Sequence, residues 1–389
     1  MDEMQKADLL SMTPEELTVF VTDTLGEPKF RAGQIFSWMH RGASFDEMSD
    51  LSKKLREKLK EHAVLYYPEI AEKYVSRIDG TVKYLWRLYD GQNVESVFMR
   101  YHHGDSICIS TQAGCRMGCA FCASTLGGRV RNLLPSEILG QVIIAQRDLI
   151  ESAVPGEEVP RIAGIVLMGI GEPLDNYENV MRFLRLVNHE KGLNIGYRHI
   201  SLSTCGLVDG IERLMREDMP ITLSISLHAP TDALRSEIMP VNKKWNIASL
   251  LSASVRYFEA TGRRISFEYT LISGKNDTRE EAEALVSVLR RYAGHKMPLH
   301  VNLIPVNPVK ERSFETSKQE NVRAFAEYLE KNGITATVRR TLGADINASC
   351  GQLRNKKNQE ARIRTGPEQE RKKEQDQHNR TTETEESPL

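Results

Sequence analysis

Cys115, Cys119 and Cys122 stand in the run CRMGCAFC, spaced C-x3-C-x2-C, with the aromatic Phe121 just before the last of them. Thiolates are soft ligands suited to zinc or to iron–sulfur chemistry. A structural zinc site wants four nitrogen or sulfur ligands, usually as two separated pairs, and no second CxxC exists in the chain. An odd trio of cysteines makes a poor disulfide set, the more so in a reducing compartment. A stable [4Fe–4S] cubane normally takes four thiolates. Three within eight residues therefore suggest one iron left without a protein ligand. Such an iron can bind a small molecule and pass it an electron.

Three further cysteines stand alone. Cys205 has no partner motif and reads as a small buried hydrophobe. Cys108 precedes the cluster run by seven residues, on a strand-like stretch. Cys350 lies in GADINASCGQL, where Ala348, Ser349 and Gly351 suggest a mobile, exposed loop between the folded body and the tail. An unpaired cysteine on such a loop is a candidate nucleophile, and the residues alone leave that open.

Polar groups recur after the strand-like runs. MGIGEPL offers Gly169, Gly171, Glu172 and Pro173. It reads either as a plain Gly-Pro turn or as a loop whose glycines admit a ligand, with Glu172 accepting from an ammonium group. SLSTCG ends on Ser203 and Thr204, SISLHAP on Ser226 and His228, and VNLIPVNP on Asn302 and Asn307. Singly, each is as often a helix cap or a satisfied strand end. Together they suggest one pocket for ribose hydroxyls, a carboxylate or adenine edges.

The elements that must position these groups follow from periodicity. Strand-like runs at 106–111, 162–168, 199–204, 221–227, 264–272, 299–304 and 335–339 alternate with helical patterns such as 176–190, 207–217, 246–261, 279–292 and 318–332. That alternation implies parallel strands with right-handed crossovers, as in a partial or open (β/α) barrel, whose catalytic groups sit at the C-terminal strand ends. Residues 1–65 read as a helical N-terminal domain. Thr13-Pro14-Glu15-Glu16 is a capping box, and Leu51, Leu55 and Leu59 fall on one helix face. Residues 66–105 read as a short β-extension with turns at Asp79-Gly80 and Asp90-Gly91. The barrel would occupy 106–353. Residues 354–389, almost free of apolar side chains and rich in both charge signs, read as a disordered tail. Hydrophobic content of 40%, charged content of 27% and a net charge of −1 suit an ordinary globular protein and neither suggest nor exclude RNA. The polar start and the lack of any apolar run of spanning length predict a cytoplasmic protein with no membrane contact.

The C-x3-C-x2-C run with Phe121 resembles the radical S-adenosylmethionine (SAM) superfamily, and CISTQAGCRMGCAFC, MGIGEPL, SLSTCG, SISLHAP, VNLIPVNP and GADINASCGQL resemble, in the same order, its RlmN family of RNA (adenine-C2) methyltransferases. The resemblance runs from about residue 10 to about residue 354. It implies an α/β fold, a partial (β/α)6 TIM-like barrel with a small helical N-terminal domain and a short β-extension, the last strand being only peripheral. It implies one [4Fe–4S] cluster on Cys115, Cys119 and Cys122, and two SAM molecules per methylation. The substrate would be C2 of an adenosine in 23S rRNA, and of the adenosine 3′ of the anticodon in tRNAs. Adenine C2 is electrophilic, so direct transfer from SAM cannot methylate it. By resemblance, one SAM methylates Cys350 and a second is cleaved to a 5′-deoxyadenosyl radical. That radical takes a hydrogen from the S-methyl group, and the resulting carbon radical adds to C2. Glu95 removes the C2 proton. Cys108 then attacks the Cys350 sulfur, releasing product and leaving a transient Cys108–Cys350 disulfide. Gly171, Glu172, Ser203, Ser226, Leu227, His228 and Asn307 would contact SAM.

The expected partners are 23S rRNA before full ribosome assembly, tRNA, and an electron donor such as flavodoxin or ferredoxin, with the enzyme a monomer. Arg129, Arg131, the Lys53–Lys60 stretch, Arg339 and Arg340 are candidate phosphate contacts, although Lys53–Lys60 reads equally as the wet face of a helix. A Cfr-type enzyme, methylating C8 of the same adenosine, shares every cysteine; the GEPL loop and the Lys83 strand look more like the C2 enzymes. A non-catalytic iron–sulfur RNA-binding protein would need neither Cys350 nor the polar strand ends.

Overall fold

The computed structural model describes residues 6–101, 104–156, 158–294, 296–309, 311–346 and 348. Cys350 and the 354–389 tail lie outside the described residues. The chain opens with a two-residue strand β1 (Ala7–Asp8) and helix α1 (Pro14–Val19), whose capping box forms in both directions: Thr13 Oγ1 accepts from Glu16 N, and Thr13 N donates to Glu16. Helices α2 (Phe30–Met39) and α3 (Lys53–His62) follow, and β2 (Ala63–Val64) returns to pair with β1 in parallel. Leu51, Leu55 and Leu59 are buried, as their spacing predicts.

Three antiparallel strands come next: β3 (Glu69–Val75), β4 (Val82–Arg87) and β5 (Asn93–Met99). The extension is an antiparallel meander that runs on into the barrel sheet. Strand β5 pairs antiparallel with β6 (Asp105–Cys108), the first parallel strand of the barrel. After the hairpin β7 (Gln112–Gly114) and β8 (Arg129–Asn132) and helix α4 (Pro135–Glu151), the chain alternates regularly. The order is β9 (Ile162–Leu167), α5 (Tyr177–Asn188), β10 (Ile200–Thr204), α6 (Val208–Leu214), β11 (Thr222–Ser226), α7 (Asp232–Ile238), α8 (Ile247–Thr261), β12 (Ile265–Leu271), α9 (Arg279–Ala293), β13 (His300–Pro305), α10 (Gln319–Lys331) and β14 (Thr335–Val338).

One ten-stranded sheet results, ordered β14-β13-β12-β11-β10-β9-β6-β5-β4-β3, and its two ends do not pair. From β6 to β14 every neighbour pair is parallel. The expected partial barrel is therefore present, and β14 is the edge strand, mostly exposed. Alternation along each strand sends one row outward against the helices. Ile165, Leu167, Leu202, Leu223, Ile225, Phe267 and Val301 are in that row, in a hydrophobic core shared with Leu9, Leu17, Ile35, Phe36 and Leu59 of the N-terminal helices. The inward row is largely polar. Ser201 and Ser224 hydrogen-bond across β10 and β11, and Asn302 Nδ2 donates to Glu268.

Candidate active site

The three cysteines lie on the loop between β7 and β8, which the hairpin pinches at its base: Cys115 N donates to Gly128 O at 3.0 Å. The closeness of the two arms demands glycine. Gly114 has φ +89°, and a Cβ there would sit 2.0 Å from Gly128 O. The loop then folds back on itself and on α7. Cys122 N donates to Cys119 O, Ala120 N to Ile238 O, and Thr125 Oγ1 to the carbonyls of both Cys119 and Cys122. Cys115 and Cys119 are buried, and Cys122 is half-buried. Burial pushes the Cys115 thiol up to about 12, reinforced by Glu172 and Cys122, and raises Cys119, reinforced by Cys122 and Cys115. Three thiols so close, where thiolates cost energy without a cation, fit a site completed by iron. Among the described residues no set of side chains converges on a single metal ion. A cubane asks for something else, since its thiolates sit on separate irons.

The strand ends gather beside this loop. Gly171 has φ +113° and its backbone lies against Gln112, where a Cβ would be 2.7 Å from Gln112 Cβ. Glu172 is buried, its carboxyl raised by that burial while Cys205 N (2.7 Å) and Leu174 N (3.1 Å) hydrogen-bond it and act the other way. The carboxyl is thus aimed by two backbone donors before any ligand arrives. Ser203 and Ser226 are half-buried on the inward row, and Leu227 is buried. His228 has a left-handed backbone, φ +56°, in a buried position. Its Nδ1 accepts from Thr270 N at 2.9 Å, which puts the ring proton on Nε2. Burial lowers it to about 3, so the ring is neutral, and it packs edge-on against Phe121. Asn307 is exposed at the rim.

A cavity of about 220 Å³ opens between the cysteine loop and the inward row. Phe121, Cys122, Thr270, Asn307, Cys108, Met168 and Val97 line it, with Arg339, Arg340, Leu342 and Ala348 from the segment after β14. Cys108 is buried, packed with Val97, Met99 and, among the partly buried residues, Ala348. A carboxylate at a strand edge is ordinarily solvated, but Glu95 is not at an edge. It is instead fully buried on an interior strand, one step along the same face from Val97, and paired with the buried Lys83 at 3.0 Å. The reason is the extension's union with the barrel sheet, which makes β5 a central strand.

Among the basic candidates, Arg129 pairs with Asp175, and Arg131 with Asp90 and Glu137. Both guanidinium groups are held by carboxylates of the neighbouring elements, the turn after β9, the β4–β5 turn and α4. Within Lys53–Lys60, Lys58 pairs with Glu27 and Lys60 with Asp46. Arg339 and Arg340 line the cavity.

Two buried charged residues had no motif to mark them. Glu268 lies within the run ISFEYTL, where a lone carboxylate in an apolar strand was a legible signal; Ser266, Asn302 and burial define its surroundings, and burial raises it. Arg235, in ALRSEI, looked like an ordinary surface arginine of a helix and is completely buried.

An open parallel barrel with three cysteines on the loop after its first strand is the architecture of a radical SAM enzyme. Residues 109–288 match the radical SAM superfamily, and residues 7–65 match the ribosomal RNA large subunit methyltransferase N-terminal domain. A protein of Clostridium novyi, described as a probable dual-specificity RNA methyltransferase RlmN, is 50% identical over 89% of this chain and 97% of its own. One from Pelotomaculum thermopropionicum with the same description is 53% identical over 85% of this chain and 87% of its own. The crystal structure of a radical SAM methyltransferase from Sphaerobacter thermophilus superposes with a TM-score of 0.82 at 41% identity, covering 89% of this chain and 98% of that one. The chain belongs to the RlmN family of radical SAM RNA methyltransferases. Membership of the superfamily implies a [4Fe–4S] cluster and SAM. Among the described residues no helix is long and apolar enough to cross a membrane.

Proposed function

We propose that this enzyme methylates C2 of an adenosine in 23S rRNA and of the adenosine 3′ of the anticodon in tRNAs, working in the cytoplasm as a monomer on RNA not yet packed into a ribosome. The observation that carries the reading is Cys108 at the wall of the cavity, with Ala348 beside it, two residues ahead of Cys350 in the chain. The chain meets this wall at Ala348, which supports pairing Cys108 with Cys350 in the reaction. When bound, the [4Fe–4S] cluster and SAM supply one-electron cleavage and a hydrogen-abstracting radical, with the electron coming from a flavodoxin- or ferredoxin-type donor. The chain's own residues do the rest. Cys115, Cys119 and Cys122 hold the cluster. Gly171 contacts SAM through its backbone, Glu172 accepts from its amino group, and Ser203, Ser226 to His228 and Asn307 contact the remainder. Cys350 accepts one methyl group from SAM and carries it, as a covalent adduct, to the base. Glu95, buried and paired with Lys83, takes the C2 proton. Cys108 attacks the Cys350 sulfur, forming a disulfide as the bond from that sulfur to the carbon now on C2 breaks; that carbon takes up a proton and leaves as the methyl group of the product, and an external reductant returns the disulfide to two thiols. Arg339 and Arg340 are suited to phosphates flanking the flipped-out base.

The test is incubation of the anaerobically reconstituted enzyme with SAM, reductant and protein-free 23S rRNA or tRNA, with nucleosides resolved by mass spectrometry. 2-Methyladenosine in both RNAs is expected. 8-Methyladenosine would mean the Cfr-type reaction, which the relatives' descriptions do not favour. No modified base and no SAM cleavage would leave a non-catalytic iron–sulfur RNA-binding protein.

A further inference from the structure

Arg235 is completely buried on α7, where the loops after β10 and β11 meet. All its hydrogen bonds go to neutral acceptors. Nη2 donates to the carbonyl oxygens of Cys205 (2.8 Å) and Ser226 (3.1 Å), Nε to that of Leu227 (3.0 Å), and Nη1 to Oδ1 of Asn242 (2.9 Å) and, at 3.4 Å, to Trp245 O. Its donors are satisfied, but its charge is not. The carboxylate connected to it is Asp232, which reaches it only through Asn242 and is exposed to solvent. Buried charges are ordinarily paired or set against a metal centre. The other groups acting on this guanidinium through space are the sulfurs of Cys205 and Cys119. The cysteine loop itself leans on the same helix, through Ala120 N to Ile238 O at 2.8 Å.

We propose that the counter-charge of Arg235 is the iron–sulfur cluster, so that Arg235 is a positioning residue that braces the Ser226–Leu227 turn and makes the cluster easier to reduce. This rests on the reading that Cys115, Cys119 and Cys122 hold a [4Fe–4S] cluster. Three thiolates on a doubly positive core leave the site at −1. One electron from an external one-electron donor takes it to −2, with no proton or bond exchanged. A fixed cation nearby favours the more negative state, since net charge is among the quantities that set cluster potentials. The bracing works alongside this, because the carbonyls that Arg235 holds belong to the turn leading into His228.

Full-length wild type, R235K and R235Q are reconstituted anaerobically and titrated with dithionite and mediators, the reduced cluster being followed by electron paramagnetic resonance. At the wild-type midpoint, R235Q is expected to hold about tenfold less reduced cluster relative to oxidised, ~59 mV for a one-electron couple. R235K, which keeps the charge and loses the fork, stays near wild type. Thermal unfolding gives the second readout. R235Q loses more stability in the cluster-loaded protein than in the apoprotein. An unchanged midpoint in R235Q, or equal losses in the two forms, overturns the proposal. So does an apo R235Q that cannot fold, since the guanidinium would then be needed for its carbonyl bonds alone. The cluster reading is tested separately by wild-type iron content. A wild type without about four irons per chain removes that reading whatever Arg235 does.

Discussion

Lys83 and Glu95 face each other with almost no exposure. Removing one partner of such a pair leaves an uncompensated buried charge, and Lys83→Met is expected to cost about 3–5 kcal/mol in urea unfolding. The double change of Lys83 and Glu95 to Met should cost less, because both charges go, yet leave no turnover if Glu95 takes the C2 proton. A double variant that methylates RNA would exclude that role. The cysteines separate in the same manner. Cys350→Ala should transfer no methyl to protein or RNA, whereas Cys108→Ala should accumulate protein crosslinked to RNA, visible as a nuclease-sensitive shift on a denaturing gel. A purely structural role for both would give a shared loss of stability with no adduct. The cluster cysteines were legible because ligand spacing on one loop is local information. The Lys83–Glu95 pair was not, because register between neighbouring strands creates it, and no spacing along the chain encodes that. Arg235 was hidden for the same reason: its acceptors come from three loops.

The turn between β3 and β4 grips the segment after β14. Ser76 Oγ donates to Asp345 at 2.7 Å, Arg77 N to Asp345 at 2.9 Å, and Gly343 N to Asp79 at 2.9 Å. This is the last described stretch before Cys350. Asp345 lies at the surface, where solvent weakens such hydrogen bonds, so the grip is a local one. Asp345→Ala is therefore expected to slow methylation of Cys350 several-fold and to speed proteolysis after residue 340, with the global unfolding midpoint nearly unchanged. Equal methylation rates in variant and wild type would show that the grip does not serve Cys350. Asp79-Gly80 and Asp90-Gly91 were readable as turns from their residue types, since both need positive φ at glycine. What the first of them holds was not readable. Its partner is more than 260 positions away, a separation at which periodicity and propensity carry no information.

The N-terminal helices and the barrel share one core, and His40 sits in their joint. Its ring packs on Phe36 and against Gly192, where a Cβ would come within 2.7 Å of it. Nδ1 bonds to Phe36 O, and burial lowers the ring to about 4. Its folded pKa thus lies below the unfolded value of 6.5, so the unfolded chain binds the extra proton between those limits. Stability due to this ring is complete above about pH 6.5 and is lost as pH falls toward 4, by at most about 1.4 kcal/mol per pH unit. Urea midpoints measured across that window should fall less steeply in His40→Met than in wild type, and identical slopes would refute this. The βα alternation made the barrel readable from sequence, because each crossover is a local event. The joining of extension to barrel, and of helices to both, depended on which faces met, and no stretch of chain specifies that alone.

The ten strands never close into a ring, and β3 and β14 are left facing each other across a gap spanned by the segment that Ser76 and Asp79 hold. On that flank the fold is fastened by a few hydrogen bonds to two aspartates instead of by a strand ladder. It is the one seam of the barrel that can part without breaking the sheet.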